Sequence, residues 1–316
     1  ERNGKMGMWA TLQDSAAYLL VLAAGYGLKR LGIFGAEHAS VFAKLIMTIT
    51  LPAAVLKGSA SAQLNGVLFL AAGVGFFANV LLLTAAVLVS RKLEGDSRAF
   101  CVLNTNTFNI GNFAMPFLSA FTQGQAFAAI CMFDMGSALT TFGPNFTVAQ
   151  AVREGTDRVR IRPGRIVKTL LSSPTFDVYL FILMMHLFRL QLPKPIFDAV
   201  SMAAGANTFL AMLTIGILFE FRFPRAGRDL IFRVLATRYA VCTAAALAVW
   251  FWFPGDAEVV RVLTITLFAP IANCATIFTV QHRCDGAVSA VINSFSMVIS
   301  VCIMMLLLSV LPMPIR

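Results

Sequence analysis

The chain alternates long apolar runs with short polar connections. Ten runs approach or exceed the length a bilayer core requires, about 20 residues of apolar helix. They cover roughly 13–32, 39–57, 66–90, 99–121, 125–149, 168–190, 196–219, 230–253, 257–281 and 286–311. The pattern predicts an all-α polytopic membrane protein with ten transmembrane helices in one domain, 1–316. The longest connection, "REGTDRVRIRPGR" at 153–165, divides the runs into five and five, with halves 1–152 and 166–316. An odd number of spans per half makes the halves face opposite ways, as an inverted-topology repeat requires. A faint echo supports this: "TLPAAVLKG" in run 2 faces "LTIGILFEF" in run 7, and "NIGNFAMPF" in run 4 faces "FAPIANCATIF" in run 9.

Run 4 departs from the apolar pattern. Within "NTNTFNIGNFAMPF", residues 104–117, stand Asn104, Asn106, Asn109, Asn112, Gly111 and Pro116. Run 9 carries Pro270, Asn273 and Thr276 at a similar depth. At 1.5 Å per residue both interruptions lie roughly 15–20 Å into the run, near the bilayer midplane. Pro116 and Pro270 each remove a backbone donor and block continuous helix. Unpaired backbone at that depth is tolerated only where protein or a water-filled cavity satisfies it. Two broken helices at equivalent places therefore point to a substrate site between them, with half-helix N-termini as a seat for a carboxylate. Asn109, Gly111, Asn112, Pro116, Pro270, Asn273 and Thr276 are the candidate substrate-binding residues. The competing structural reading is that prolines kink many membrane helices and that Asn serves as interhelical glue.

Composition agrees with a membrane protein: 58% of residues are hydrophobic, 13% are charged, and the mean hydropathy is +0.79. The net charge of +10 is a topology signal. Arg153, Arg158, Arg160, Arg162 and Arg165, then Arg222, Arg225 and Arg228, fall on one side of the membrane together with Lys29, Arg30, Arg91 and Lys92. The other side holds Arg2, Lys5, Lys57, Arg189, Lys194, Arg261 and Arg316. The positive-inside rule makes the richer side cytoplasmic and both termini non-cytoplasmic. Nucleic acid is not an expected partner. Six scattered cysteines form no C-x-x-C pair, so they suggest neither a disulfide framework nor a zinc site. Lys29 and Arg30 follow the first run instead of preceding it, so that run reads as a retained helix rather than a cleaved signal.

The segment "NIGNFAMP", with Asn109, Gly111, Asn112 and Pro116, resembles the N-x-G-N-x-G-x-P pattern in the fourth helix of bacterial members of the auxin efflux carrier family. Ala114 stands where that pattern usually has glycine. "LFAPIANCATIFTVQHRCDGAVSAVINSFSM", "LGIF" and "TLPAAVL" fit the same family. The resemblance implies ten helices, with broken helices 4 and 9 crossing, a scaffold against a mobile bundle, and transport of organic anions such as auxin, malonate or related carboxylates. Plant members carry ionisable residues in the third helix, where run 3 here offers only Asn79. The bile-acid/sodium symporters share the general architecture and are the alternative, with sodium in place of proton coupling.

A charge at mid-bilayer is a functional candidate by default. Asp134, about ten residues into run 5, is the candidate coupling residue, because a carboxylate taken out of water costs most in its charged form; the alternative is a structural group hydrogen-bonded to broken-helix N–H groups. Asp177 reads as a helix-start or interhelix hydrogen-bonding group, with coupling as its alternative, and His186 as interfacial, with titration near neutral pH as its alternative role. Arg238 reads as a cation that snorkels or pairs in the inner leaflet, with substrate contact as the alternative. No enzyme constellation, metal site or cofactor motif is present. The expected function is secondary active transport of small organic anions by alternating access in the cell inner membrane. A transport-dead receptor on the same fold is the different-class alternative. The expected partners are a small carboxylate substrate and the lipid bilayer, and a homodimer is compatible with the sequence.

Overall fold

The computed structural model describes residues 17–59, 65–119, 121–156, 164, 174–188, 190, 192–219 and 227–311. Regular structure among these residues is helical, without a strand. In chain order the helices are α1 (17–30), α2 (Ala36–Leu45), α3 (Leu51–Ser59), α4 (Gly66–Ser90), α5 (Gly95–Thr105), α6 (Met115–Leu118), α7 (Gly124–Phe142), α8 (Pro144–Glu154), α9 (Pro174–Leu187), α10 (Lys194–Leu218), α11 (Arg228–Trp252), α12 (Ala257–Thr266), α13 (Asn273–Gln281) and α14 (Gly286–Val310). Among the described residues, six continuous stretches are long and apolar enough to cross a membrane: Glu37–Ser59, Gly66–Ser90, Gly124–Glu154, Lys194–Leu218, Arg228–Trp252 and Gly286–Val310. This is a multi-pass membrane protein. Each apolar run of the sequence carries helix, although 13–32, 168–190 and the 153–165 connection lie partly outside the described residues.

Helix α4 shows why these sequences fold as membrane helices. Asn65 caps it, its Oδ1 accepting from the Leu68 N–H at 3.2 Å, which satisfies one of the orphan donors of the first turn. Leu68, Ala71, Gly75, Ala78, Leu82 and Ala86 recur every three or four residues and are buried. The opposite face carries exposed Phe69, Leu70, Phe77, Leu81 and Leu88. A water-facing helix would be polar there, so that face meets lipid.

Helix association in lipid depends on close packing because lipid is as apolar as the helices. A Cβ at Gly136 of α7 would collide with the Ala72 carbonyl of α4, and one at Gly75 with the Phe133 carbonyl. Gly25 of α1 and Gly216 of α10 meet the Leu213 and Leu22 carbonyls in the same manner. Gly136→Val is expected to lower the melting temperature of the detergent-purified protein, as overpacking costs about 1–3 kcal/mol. Gly73→Val, where a Cβ meets nothing within 4 Å, should be silent by comparison. Equal melting of the two variants would refute the close-approach account.

Two groups of helices follow from the packing. One contains α1, α2, α3, α9 and α10, with α10 against α2 and α3 and α9 against α3. The other contains α4, α5, α7, α8 and α11 to α14, held by α4 on α7, α5 on α8, α11 on α4 and α12, and α13 on α14.

Two prolines explain two irregular turns. A wide π turn, Ile46–Thr50, precedes Pro52, and another, Ile110–Ala114, precedes Pro116. A proline ring clashes with the carbonyl four residues earlier. Widening the preceding turn moves that carbonyl aside, so the Leu51 and Met115 N–H groups bond five residues back, to Ile46 and Ile110. Such turns recur at functional sites. Run 5 bends differently, at Gly143 and Pro144 between α7 and α8.

Candidate functional site

The two broken runs meet at their breaks. Helix α5 ends at Thr105, and the chain is irregular until the π turn that leads into α6. Helix α12 ends at Thr266, and α13 begins at Asn273. Between them the Asn109 N–H donates to the Pro270 carbonyl at 2.8 Å, and the Ala272 N–H donates to Thr107 Oγ1 at 3.2 Å. The Ile271 N–H donates to Ser296 Oγ of α14 at 3.0 Å. Backbone groups released by each break are thus taken up by the other break and by α14, which is what a low-dielectric setting demands.

Arg238 corrects the sequence reading. It neither snorkels nor pairs near the inner leaflet: it is the eleventh of 25 residues in α11 and fully buried. Its Nη1 donates to the Thr105 carbonyl and its Nη2 to the Ala269 carbonyl, each at 2.7 Å. Its guanidinium lies 4.7 Å from the centre of the Phe108 ring. Among the described residues no carboxylate lies within ion-pair distance of it. The counter-charge is supplied by backbone. The C-terminus of α5 carries about −0.5 of an elementary charge, and the unwound Ala269 carbonyl after α12 adds a second dipole aimed at the guanidinium. The Phe108 ring adds cation–π attraction.

A polar network joins the same elements on the other side. Asn104 Nδ2 donates to the Phe100 carbonyl and to Thr279 Oγ1, and Ser289 Oγ donates to Asn104 Oδ1 and lies 3.0 Å from Thr276 Oγ1. Asn293 Nδ2 donates to Asn273 Oδ1 at 2.9 Å. Asn106 is fully buried and makes no side-chain hydrogen bond among the described residues. A buried amide without a partner costs free energy.

The remaining sequence candidates fall around this junction. Asn109, Pro116 and Pro270 are buried, whereas Gly111, Asn112, Asn273 and Thr276 keep partial exposure. The Pro116 carbonyl accepts from Thr208 Oγ1 of α10 at 3.0 Å. Asp134 is partly buried, and its Oδ2 accepts from the Tyr179 hydroxyl at 3.2 Å; that hydroxyl is also 3.5 Å from Met115 Sδ. Phe133, its neighbour, packs edge-on against Phe108 with ring centres 5.4 Å apart. Asn79 is buried and donates to the Ser137 carbonyl and hydroxyl of α7. Asp177 sits exposed in the first turn of α9. The His186 side chain lies outside the described residues.

Residues 13–156 match the family model described as "Membrane transport protein". Over these residues the chain is similar to the membrane transport protein family, that of the auxin efflux carriers. The match covers the first half of the chain, from α1 to α8, and so includes Asn109, Gly111, Asn112, Pro116 and Asp134, while α9 to α14 lie outside it. No curated protein matches the chain. Members of the membrane transport protein family are transporters and not enzymes.

Two groups of site residues escaped the sequence reading. Ser289, Asn293, Ser296 and Ser300 recur at spacings of four, three and four, which places them on one face of α14, and that spacing was a usable signal. The partners Tyr179, Thr208 and Thr107 carry no such pattern.

Proposed function

We propose that this membrane transport family protein is a secondary active transporter of small organic anions, carboxylates above all, working by alternating access and coupled to protons through Asp134. The observation that carries the reading is the meeting of two broken helices, with partly exposed Asn112 and Asn273 at the start of their second halves. Helix α13 opens there with free amide donors and a positive dipole end, which suits a carboxylate. Asn112→Ala and Asn273→Ala should each weaken carboxylate binding several-fold or more, since a hydrogen bond to a charged group is worth about 1.5–3 kcal/mol net. A thermal-shift screen of carboxylates on the parent, followed by titration of the variants, measures this. Unchanged affinity in both variants would remove the site from the crossing, and a parent that binds ligand yet fails to move it into vesicles would favour a receptor.

The architecture we attach to this function is ten spans in a 5+5 inverted repeat, in the cell inner membrane, with both termini on the non-cytoplasmic side. Support comes from paired features. Each broken run has a first helix of 11 or 10 residues before its break. Asn79 of α4 bonds Ser137 of α7, while Tyr239 of α11 donates to the Ser296 carbonyl and lies 2.9 Å from the Ser300 hydroxyl of α14. Runs 3 and 5 thus repeat what runs 8 and 10 do. With Cys284 and Cys302 replaced by alanine, a cysteine at position 158 (Arg158→Cys) should react with an impermeant maleimide only after cells are opened. Labelling in intact cells would overturn the topology.

A further inference from the structure

In carriers built on broken helices, carbonyls at half-helix C-terminal ends are natural ligands for a coupling cation. Here the Thr105 carbonyl at the end of α5 and the Ala269 carbonyl in the unwound segment after α12 converge on one place, and both accept from Arg238. The Phe108 ring covers the guanidinium. A planar fork that donates to two oxygens at once cannot share them with a sodium ion, which needs several such oxygens for itself and would be repelled by the resident charge. We propose that Arg238 is a built-in cation: it occupies the seat between the two first half-helices that a coupling sodium would take, so the crossing is held closed and the carrier works without sodium.

The inference rests on the transport reading only for its consequence for coupling, since occupancy of the seat is a matter of charge and geometry. Its position as a positioning residue is also distinct from the substrate amides. Arg238 binds the C-terminal end of α5 and the unwound chain after α12, whereas Asn112 and Asn273 lie at the N-terminal starts of the second halves.

The test is the thermal stability of the purified protein in sodium, potassium or choline chloride at equal ionic strength, with radiosodium binding measured alongside. The parent should melt alike in all three salts and bind no radiosodium. Arg238→Ala should melt at a temperature lower by several degrees, and millimolar guanidinium should restore part of the loss where choline does not. A merely structural arginine would not show that cation selectivity. Arg238→Lys keeps the charge without the fork and should melt between the two, again without regard to sodium. Stabilisation of the parent by sodium, or radiosodium binding by it, overturns the proposal. So does an Arg238→Ala variant that folds but responds equally to guanidinium and choline. If Arg238→Ala yields no folded protein, the parent and Arg238→Lys still decide through their response to sodium. These readouts need no carboxylate, so failure of substrate binding and failure of this proposal are separate results.

Discussion

Asp134→Asn is expected to abolish pH-gradient-driven accumulation of a carboxylate in proteoliposomes while leaving its binding to the purified protein within a few-fold of the parent. The carboxyl group is partly buried beside the crossing, it accepts from the Tyr179 hydroxyl, and among the described residues no cationic side chain pairs with it. A substrate anion arriving nearby would repel the charged form and so favour the protonated acid. Proton and anion would then bind together, which is symport by linkage without direct contact between them. Asparagine has nearly the same shape and can accept the same phenolic hydrogen bond, but it carries no titrating proton. One pH unit corresponds to 1.36 kcal/mol, so a one-to-one symport can hold a concentration ratio of up to about ten per unit. The Asn variant should fall to a ratio of about one. Full accumulation by the variant, or indifference of the parent to the gradient, would make Asp134 structural.

Asn104→Leu should be the most damaging single change to folding among the sequence-predicted amides. The side chain is fully buried, and two of its three hydrogen bonds tie α5 to Thr279 of α13 and Ser289 of α14, the third going to the Phe100 carbonyl of α5 itself. Leucine is close in volume, so little cavity forms, but polar groups on both partners lose their bond inside the protein. Leaving buried donors or acceptors unmade costs about 1–3 kcal/mol each, so the variant should lose about 2–4 kcal/mol and give little folded protein. Ser294→Ala, which removes only an exposed bond to the Ala290 carbonyl, should melt like the parent. Similar melting of both variants would show that the network does not hold the helices.

How much of this could be read in advance depended on whether the signal was local. The run read as 66–90 coincides with α4 because cap residue and apolar stretch both lie in the sequence itself. The breaks in runs 4 and 9 were legible because proline and amide residues stand out from an apolar background. Run 4 begins earlier than its hydropathy suggests, since Gly95 to Arg98 form a polar helix start. Arg238 was misread for a physical reason. One charge in an apolar run looks interfacial when its counter-charge is another side chain or solvent, and here the counter-charge is a pair of backbone carbonyls far away in sequence. Nothing local to α11 announces them. The turns before Pro52 and Pro116 were half legible: the prolines predicted a disturbance but not its form.

The boundary between the two helix groups is crossed by hydroxyl groups. Tyr179 of α9 reaches Asp134 of α7, and Ser59 of α3 lies 4.0 Å from Cys131 Sγ of α7. Each such bond is worth about 0.5–1.5 kcal/mol net, and water can replace it with an equivalent bond as the two faces slide. By contrast, the bonds of Arg238 to the Thr105 and Ala269 carbonyls lie wholly within one group. In the alternating-access cycle proposed above, such hydroxyl contacts would let the groups part with a small activation barrier, while the charge-assisted bonds of Arg238 would hold the crossing together. The lifetime of each facing state would then be governed by the apolar seam between α3 and α7 and not by its polar contacts.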